Sequence, residues 1–118
     1  MPIVGNSKFF TESKSLTTTS DTVVYTVPSN FSSHVEHLFV SNNDTASRTF
    51  TVKWYHADDA TTHTILLNHA LAGSTYDSVF TIDKPLYLHA GDIVYVAAGT
   101  ANTLTVTVSV EEFYDPHR

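Results

Sequence analysis

The stretch that decides the fold is Leu104-Thr-Val-Thr-Val-Ser-Val110, in which apolar and hydroxyl side chains alternate without a break. Side chains of a β-strand point to opposite faces with period two, so the alternation predicts a strand over 103–113. Similar segments precede it at residues 22–27, 34–40, 48–56, 63–67, 77–82, 86–88 and 93–98. A helical alternative at 66–72 is too short to be preferred over strand and loop.

Eight strands joined by short turn-forming segments predict an all-β fold of two packed antiparallel sheets. The length of 118 residues suits one domain. Eight is the strand count of a jelly roll, which exposes few strand edges. We therefore expect a jelly-roll-like β-sandwich domain over residues 22–113. An immunoglobulin-like sandwich is the alternative, but the chain has no cysteine for the usual buried pair.

The two ends of the chain differ from the predicted domain. Residues 1–21 are rich in Ser and Thr, and Phe9 and Phe10 are their strong apolar pair. Such a segment has little apolar surface to offset the entropy of ordering it, so a frayed terminus is one interpretation. The other is an extended N-terminal arm over 1–21, with Phe9 and Phe10 docking on a neighbouring subunit. Residues 114–118 are expected to form a short C-terminal tail.

Charge excludes one class of partner. The net charge is −6 and the six Lys and Arg residues are scattered, so no basic face is available to neutralise phosphates and direct nucleic-acid binding is not expected. No segment has the length and apolarity of a membrane span or a secretory signal, so we expect synthesis in the cytoplasm and no membrane partner. Hydroxyl side chains replace many of the usual charges, and they are cheaper to desolvate in a protein contact.

The motifs of catalysis are missing from the sequence. Neither a nucleophile elbow nor a phosphate-binding glycine loop is present. His34 and His37 should lie on opposite faces of a regular strand, so they do not predict a metal site. The adjacent Glu111 and Glu112 are typical of solvated charge. We therefore expect no enzyme activity, no cofactor and no metal; a cupin-like metal enzyme is an alternative whose histidine pattern is absent.

Three segments break the alternation and predict a covered outer face. The segments Val23-Val-Tyr25, Leu38-Phe39-Val40 and Ile93-Val-Tyr-Val96 are apolar on both sides, whereas a sheet with one wet face should alternate cleanly. We expect another chain, or the N-terminal arm, to cover part of the outer surface. The candidate partner-binding residues are Phe9, Phe10, Ile93, Tyr95 and Tyr55. Trp54 is expected in the core with Phe50 and Val52, although exposed aromatics could instead stack on sugars.

Five segments resemble small β-sandwich virion proteins of tailed bacteriophages. The opening strand of that family is similar to Thr22-Val-Val-Tyr-Thr-Val-Pro28, and its next strand to His37-Leu-Phe-Val-Ser-Asn-Asn43. A Thr/Val strand with a polar tip follows in that family and is similar to residues 50–56. A later motif resembles Lys84-Pro-Leu-Tyr-Leu-His-Ala-Gly-Asp92, and Gly99-Thr-Ala-Asn102 matches the turn before the last strand. The resemblance covers about residues 22–112, and its motifs are structural.

The resemblance implies a non-enzymatic virion protein, first of all a capsid decoration (cement) protein. Such a protein would bind the major capsid protein on the capsid exterior, commonly as a homotrimer, after assembly in the host cytoplasm. It would stabilise the shell because it binds only the assembled form. The alternatives are a neck or tail adaptor or other tail structural protein, and a carbohydrate- or receptor-binding module.

Overall fold

A computed structural model describes residues 7–116, which form nine strands and no helix. The strands are β1 (Ser7–Leu16), β2 (Thr22–Thr26), β3 (Phe31–Asn42), β4 (Arg48–His56), β5 (Thr61–Leu71), β6 (Tyr76–Phe80), β7 (Leu86–Leu88), β8 (Ile93–Ala98) and β9 (Leu104–Tyr114). Residues 7–116 therefore contain no helix that could cross a membrane.

The strands form two antiparallel sheets, which confirms the predicted β-sandwich. The five-stranded sheet has the order β1-β9-β3-β6, with β7 also pairing with β3, and the four-stranded sheet has the order β2-β8-β4-β5. β6 and β7 pair with different parts of β3 and so act as one interrupted strand. Counted in this way, the pairs β1–β9, β2–β8, β3–β6/β7 and β4–β5 are those of one long hairpin rolled up, which is the jelly-roll connectivity.

The core lies between the two sheets and follows the alternation of the last strand. Leu104, Val106, Val108 and Val110 of β9 are all buried, while the intervening hydroxyl residues are partly exposed. Phe50 and Val52 of β4 and Val94 and Val96 of β8 face them from the other sheet and are equally buried. Trp54 is only partly buried and packs against this cluster rather than lying within it.

The N-terminal segment differs from the expected arm. Ser7–Leu16 pairs with β9 along its whole length, from Ser7 opposite Phe113 to Leu16 opposite Leu104. Leu16 is fully buried, so the described part of the arm is an edge strand of the chain's own sheet. The sandwich therefore begins at least fifteen positions before residue 22, since 22 − 7 = 15, and it extends through Tyr114. Residues 1–6 and 117–118 lie outside the described part of the chain.

Candidate functional site

The outward side of the five-stranded sheet carries ionisable and exposed aromatic side chains that could bind a ligand or a partner. Outward residues of β9, β3 and β1 alternate with buried ones, so Glu111, His34 and Phe9 point away from the core. Phe9 lies directly opposite Glu111, and His34 lies opposite Glu111 on the other flank of β9. We call Phe9, His34, Glu36, Glu111, Ile82 and Tyr87 the outer-face patch.

A β-bulge in β3 lies at Glu36 and changes which residues face this patch. Val35 pairs with Val110 and His37 with Ser109, so Glu36 is an extra residue without a partner on β9. Val35 and Leu38 are both buried, which leaves Glu36 and His37 side by side on the outward face. The expectation that His34 and His37 lie on opposite faces was wrong, because the bulge shifts the alternation by one residue.

The nitrogen and oxygen ligand atoms of His34, Glu36 and Glu111 all lie within 4.8 Å of one another. Each of the three side chains is half-buried. The sheet sets the arrangement, because His34 and Glu36 are two residues apart on β3 and Glu111 is the cross-strand neighbour of His34. Ser7 of β1 donates a 2.8 Å hydrogen bond to Glu111 Oε2 and holds that carboxylate from the opposite side.

The two carboxyl groups of this trio influence each other strongly. Desolvation, and then the hydrogen bond and charge of Glu111, raise the pKa of the Glu36 carboxyl above its ordinary value, while His34 opposes the shift. Two carboxylates this close repel each other when both are ionised, so a proton or a cation between them relieves the repulsion. The trio therefore has the composition of a cation-binding site.

Aromatic rings orient the imidazole of His34. Its ring centroid lies 4.4 Å from that of Tyr87, nearly edge-on, and 4.9 Å from that of Phe113. Beside the trio, Phe9 and Ile82 flank a groove that Glu36 and His37 also line. Phe9 is 60% exposed and Ile82 is 75% exposed. An exposed apolar wall beside ionisable groups is typical of a binding surface.

The structure separates Phe9 from Phe10. Consecutive residues of a strand face opposite ways, so Phe10 points inward and packs against the core. Its ring centroid lies 6.1 Å from that of Tyr25, and Lys8 Nζ lies 5.2 Å from it. Phe10 thus stabilises its own sandwich, whereas Phe9 remains available on the outer-face patch.

The structure brings the other three candidates together on the opposite side of the molecule. Tyr55 pairs with Ile93 across β4 and β8, and Tyr95 lies two positions further along the same face. All three are half-buried on the outward side of the four-stranded sheet. Val23 of β2, directly opposite Tyr95, adds an exposed apolar side chain. Together they form a second, largely apolar surface, which Lys53 borders opposite Tyr95 and which is distinct from the outer-face patch.

A second polar cluster lies where β4 ends and β8 begins. Asp92 is fully buried and accepts hydrogen bonds from the backbone N–H groups of Ala57 at 2.9 Å and His89 at 3.1 Å. Trp54 Nε1 donates to it at 3.2 Å, and His56 Nδ1 lies 3.3 Å away. Burial by itself would raise the pKa of Asp92, but these hydrogen bonds outweigh it and lower the pKa. Through these hydrogen bonds Asp92 holds together the loop that follows β4 and the loop that precedes β8.

The expectation that Glu111 and Glu112 are both solvated was wrong for Glu112. Glu112 occupies an inward position of β9 and is only 6% exposed. The Tyr25 hydroxyl donates to its carboxylate at 2.6 Å and shares a second hydrogen bond, at 3.1 Å, with Ser33 Oγ. The period-two alternation of β9 continues through Glu112, and that signal was available in the sequence.

Sequence reasoning missed the trio of the outer-face patch. His34 and Glu36 stand two residues apart, a spacing that puts both on one face of a strand. Their proximity to Glu111 depends on the β3–β9 register, which no local pattern reports.

Comparison with known proteins gives information on the fold alone. No protein-family model and no curated protein matches the chain. A solved structure of Bacillus endospore appendages, a family of disulfide-linked pili, matches with a TM-score of 0.53 and 12% identity, over 92% of this chain and 86% of that chain. A structure of the CBM22-1 and GH10 modules of Clostridium thermocellum endo-1,4-β-D-xylanase 10B, complexed with xylohexaose, matches with a TM-score of 0.37 and 9% identity, over 87% of this chain and 21% of that one. The first likeness shows a shared β-sandwich fold, and the second is too weak to carry an argument.

Proposed function

We propose that this protein is a non-enzymatic structural protein that binds a protein shell, as a capsid decoration protein binds the major capsid protein of a tailed phage. The observation that carries the proposal is β1, a ten-residue strand at the edge of the five-stranded sheet. One side of β1 pairs with β9, and no described strand pairs with the other. An edge strand offers a row of backbone donors and acceptors to a partner chain. Phe9 adds an exposed aromatic anchor at that edge.

The surface around β1 supports protein contact over small-molecule chemistry. Thr11 and Ser13 on β1 form hydroxyl–hydroxyl hydrogen bonds of 2.8 Å with Ser109 and Thr107 on β9. Hydroxyl groups already paired within the chain cost little to cover with another protein surface. A decoration protein would benefit from such a surface, because few charged groups would have to be desolvated when it binds the shell.

The likeness to the Bacillus pilus structure supports the proposal of a structural protein, since the matched protein also belongs to a protein assembly. Disulfide links of the kind named for those pili are not available here, because the chain has no cysteine. Non-covalent contacts would have to hold this protein in place. We propose that it acts as a homotrimer, because three copies bound to one lattice act together and gain avidity. The apolar surface of Tyr55, Ile93 and Tyr95 is a second contact that a neighbouring copy could cover.

Copy number in purified particles tests the proposal. Particles from cells that express the gene in its native setting are purified, and the protein is quantified against the major shell protein by mass spectrometry. A decoration protein is expected at a stoichiometry comparable to that of the shell protein. If each particle instead contains only as many copies as one closed ring of subunits, the protein is a neck or tail adaptor. Complete absence from particles contradicts both.

Rebinding to depleted particles tests the role of β1. Phe9→Ser should weaken rebinding and reduce the gain in thermal stability of the shell. Tyr76→Ser is the matched control, because Tyr76 is a similarly exposed aromatic residue on β6, at the opposite edge of the same sheet. Equal binding by both variants contradicts the assignment of β1 as the binding edge. Glycan-array binding by the isolated protein would instead favour the carbohydrate-binding alternative.

A further inference from the structure

We propose that His34, Glu36 and Glu111 bind a divalent transition-metal ion of the Zn²⁺ class on the outer face of the five-stranded sheet. One imidazole nitrogen and two carboxylate oxygens converge there within 4.8 Å. This site is independent of the proposed function, and either can fail without the other.

The geometry fits a metal of this size after small side-chain rotations. Nitrogen and oxygen ligands lie about 2.0–2.2 Å from Zn²⁺, so tetrahedral ligand atoms are about 3–4 Å apart. The backbone of the two central strands β3 and β9 carries all three ligands, and such strands hold ligands more rigidly than a loop does. Three protein ligands leave a coordination position open for water or for a group from a partner.

The surroundings of the trio match those of metal ligands. Ser7 donates to Glu111 Oε2 and leaves its other oxygen for an ion. Tyr87 and Phe113 hold the ring of His34, and no hydrogen-bond partner of that imidazole is found among residues 7–116. The hydrogen bond from Ser7 to Glu111 is of the kind that orients ligating carboxylates at metal sites. The net charge of −6 further favours a cation.

The donor set selects the class of metal. An imidazole ligand suits zinc, cobalt and nickel, whereas Mg²⁺ and Ca²⁺ prefer oxygen ligands alone. The absence of cysteine excludes a thiolate site for softer ions. The cluster around Asp92 is a weaker candidate, because backbone and side-chain donors already occupy the oxygens of that carboxylate.

Calorimetric titration of the full chain with ZnCl₂ tests the proposal, with MgCl₂ as the comparison ion. We expect saturable binding of one Zn²⁺ per chain, a raised unfolding temperature, and no response to Mg²⁺ at equal concentration. With Co²⁺, we expect visible absorption of a four- or five-coordinate ion. Wild-type protein that shows no saturable Zn²⁺ binding overturns the proposal.

Variants locate the site. His34→Gln, Glu36→Gln and Glu111→Gln should each weaken Zn²⁺ binding at least about tenfold. His37→Gln is the matched control, because His37 lies beside Glu36 on the same face but interacts with Ser78 Oγ at 3.2 Å. The metal-free variants should keep the far-ultraviolet circular dichroism of the wild type, which separates lost binding from lost folding. Zinc binding that persists in all three variants, or that His37→Gln weakens equally, overturns the assignment.

Discussion

The hydroxyl of Tyr25 donates a 2.6 Å hydrogen bond to the buried carboxylate of Glu112 and thereby joins the two sheets. Tyr25 belongs to β2 of the four-stranded sheet and Glu112 to β9 of the five-stranded sheet. Burial, and then the hydrogen bond to Glu112, raise the pKa of Tyr25 far above its ordinary value. The hydroxyl therefore keeps its proton and remains a hydrogen-bond donor to the buried carboxyl group.

Removal of this hydroxyl should destabilise the fold. Tyr25→Phe removes the hydroxyl that donates to the buried Glu112 carboxyl group, and the expected loss is about 1–3 kcal/mol of unfolding free energy. Urea denaturation followed by fluorescence measures it. Tyr76→Phe is the control, because the side chain of Tyr76 is largely exposed. A loss no larger than that of the control would show that the interaction is not stabilising.

Asp92 should make stability depend on pH in the acidic range. The pKa of Asp92 is lowered from its ordinary value of 3.8, so its ionised form stabilises the fold above that pH. The contribution is lost as the pH falls through the lower pKa of the folded state. Asp92→Asn should therefore destabilise the protein at neutral pH. Below about pH 4, the stability of this variant should fall less steeply with decreasing pH than that of the wild type. Thermal unfolding across the acidic range measures both effects.

An exposed carboxylate provides the comparison for Asp92. Asp83→Asn removes a charge from an exposed position between β6 and β7, and it should leave the acid dependence nearly as in the wild type. If Asp92→Asn and Asp83→Asn give the same pH profile, the hydrogen bonds to Asp92 do not control acid stability.

β1 should be part of the folded domain and not a removable arm. Leu16→Ala removes a fully buried side chain and should cost about 2–5 kcal/mol through lost burial and the cavity that remains. Phe9→Ala, at an exposed position of the same strand, should change stability by about 0.5 kcal/mol or less. Chemical denaturation of the two variants measures the difference. Equal, small effects would mean that β1 detaches freely from β9.

Gly73 should not tolerate a side chain. A Cβ atom at this position would collide with the backbone carbonyl of Thr45, and the same turn is held by a 2.9 Å hydrogen bond from Ser74 N to Asp44 O. Relief of the collision requires backbone movement, so Gly73→Ala should lose about 1–3 kcal/mol of stability. Ala72→Ser, at the exposed neighbouring position, is the control. Thermal unfolding that shows no difference between the two would contradict the close approach of these loops.

Much of the fold could be predicted from the sequence. The strands at 48–56, 86–88 and 93–98 were predicted with the observed bounds, because they are rich in β-branched and aromatic residues and turn-forming residues flank them. β1 was missed, since its inward residues include Lys8, Glu12 and Lys14 and so hide the alternation. Charged inward-pointing residues are a known feature of edge strands. Lys14 in fact donates to the Val23 carbonyl of β2 at 3.0 Å and links the two sheet edges.

The candidate site could be predicted only in part. Phe9 and the group of Tyr55, Ile93 and Tyr95 were identified as surface candidates from their pattern, and the structure places them outward. The trio of His34, Glu36 and Glu111 was not identified. Its assembly requires the pairing of β3 with β9 across more than seventy intervening residues, since 111 − 36 = 75.

The sequence by itself determined the all-β class and the inward set of Leu104, Val106, Val108 and Val110, because the period of a strand is a local property of the chain. Only the tertiary structure decided that β1 completes the sheet, that the Tyr25 hydroxyl reaches Glu112, and that the bulge turns His37 outward. These features follow from strand register. Register is set by contacts between distant segments, so it leaves no local pattern to read.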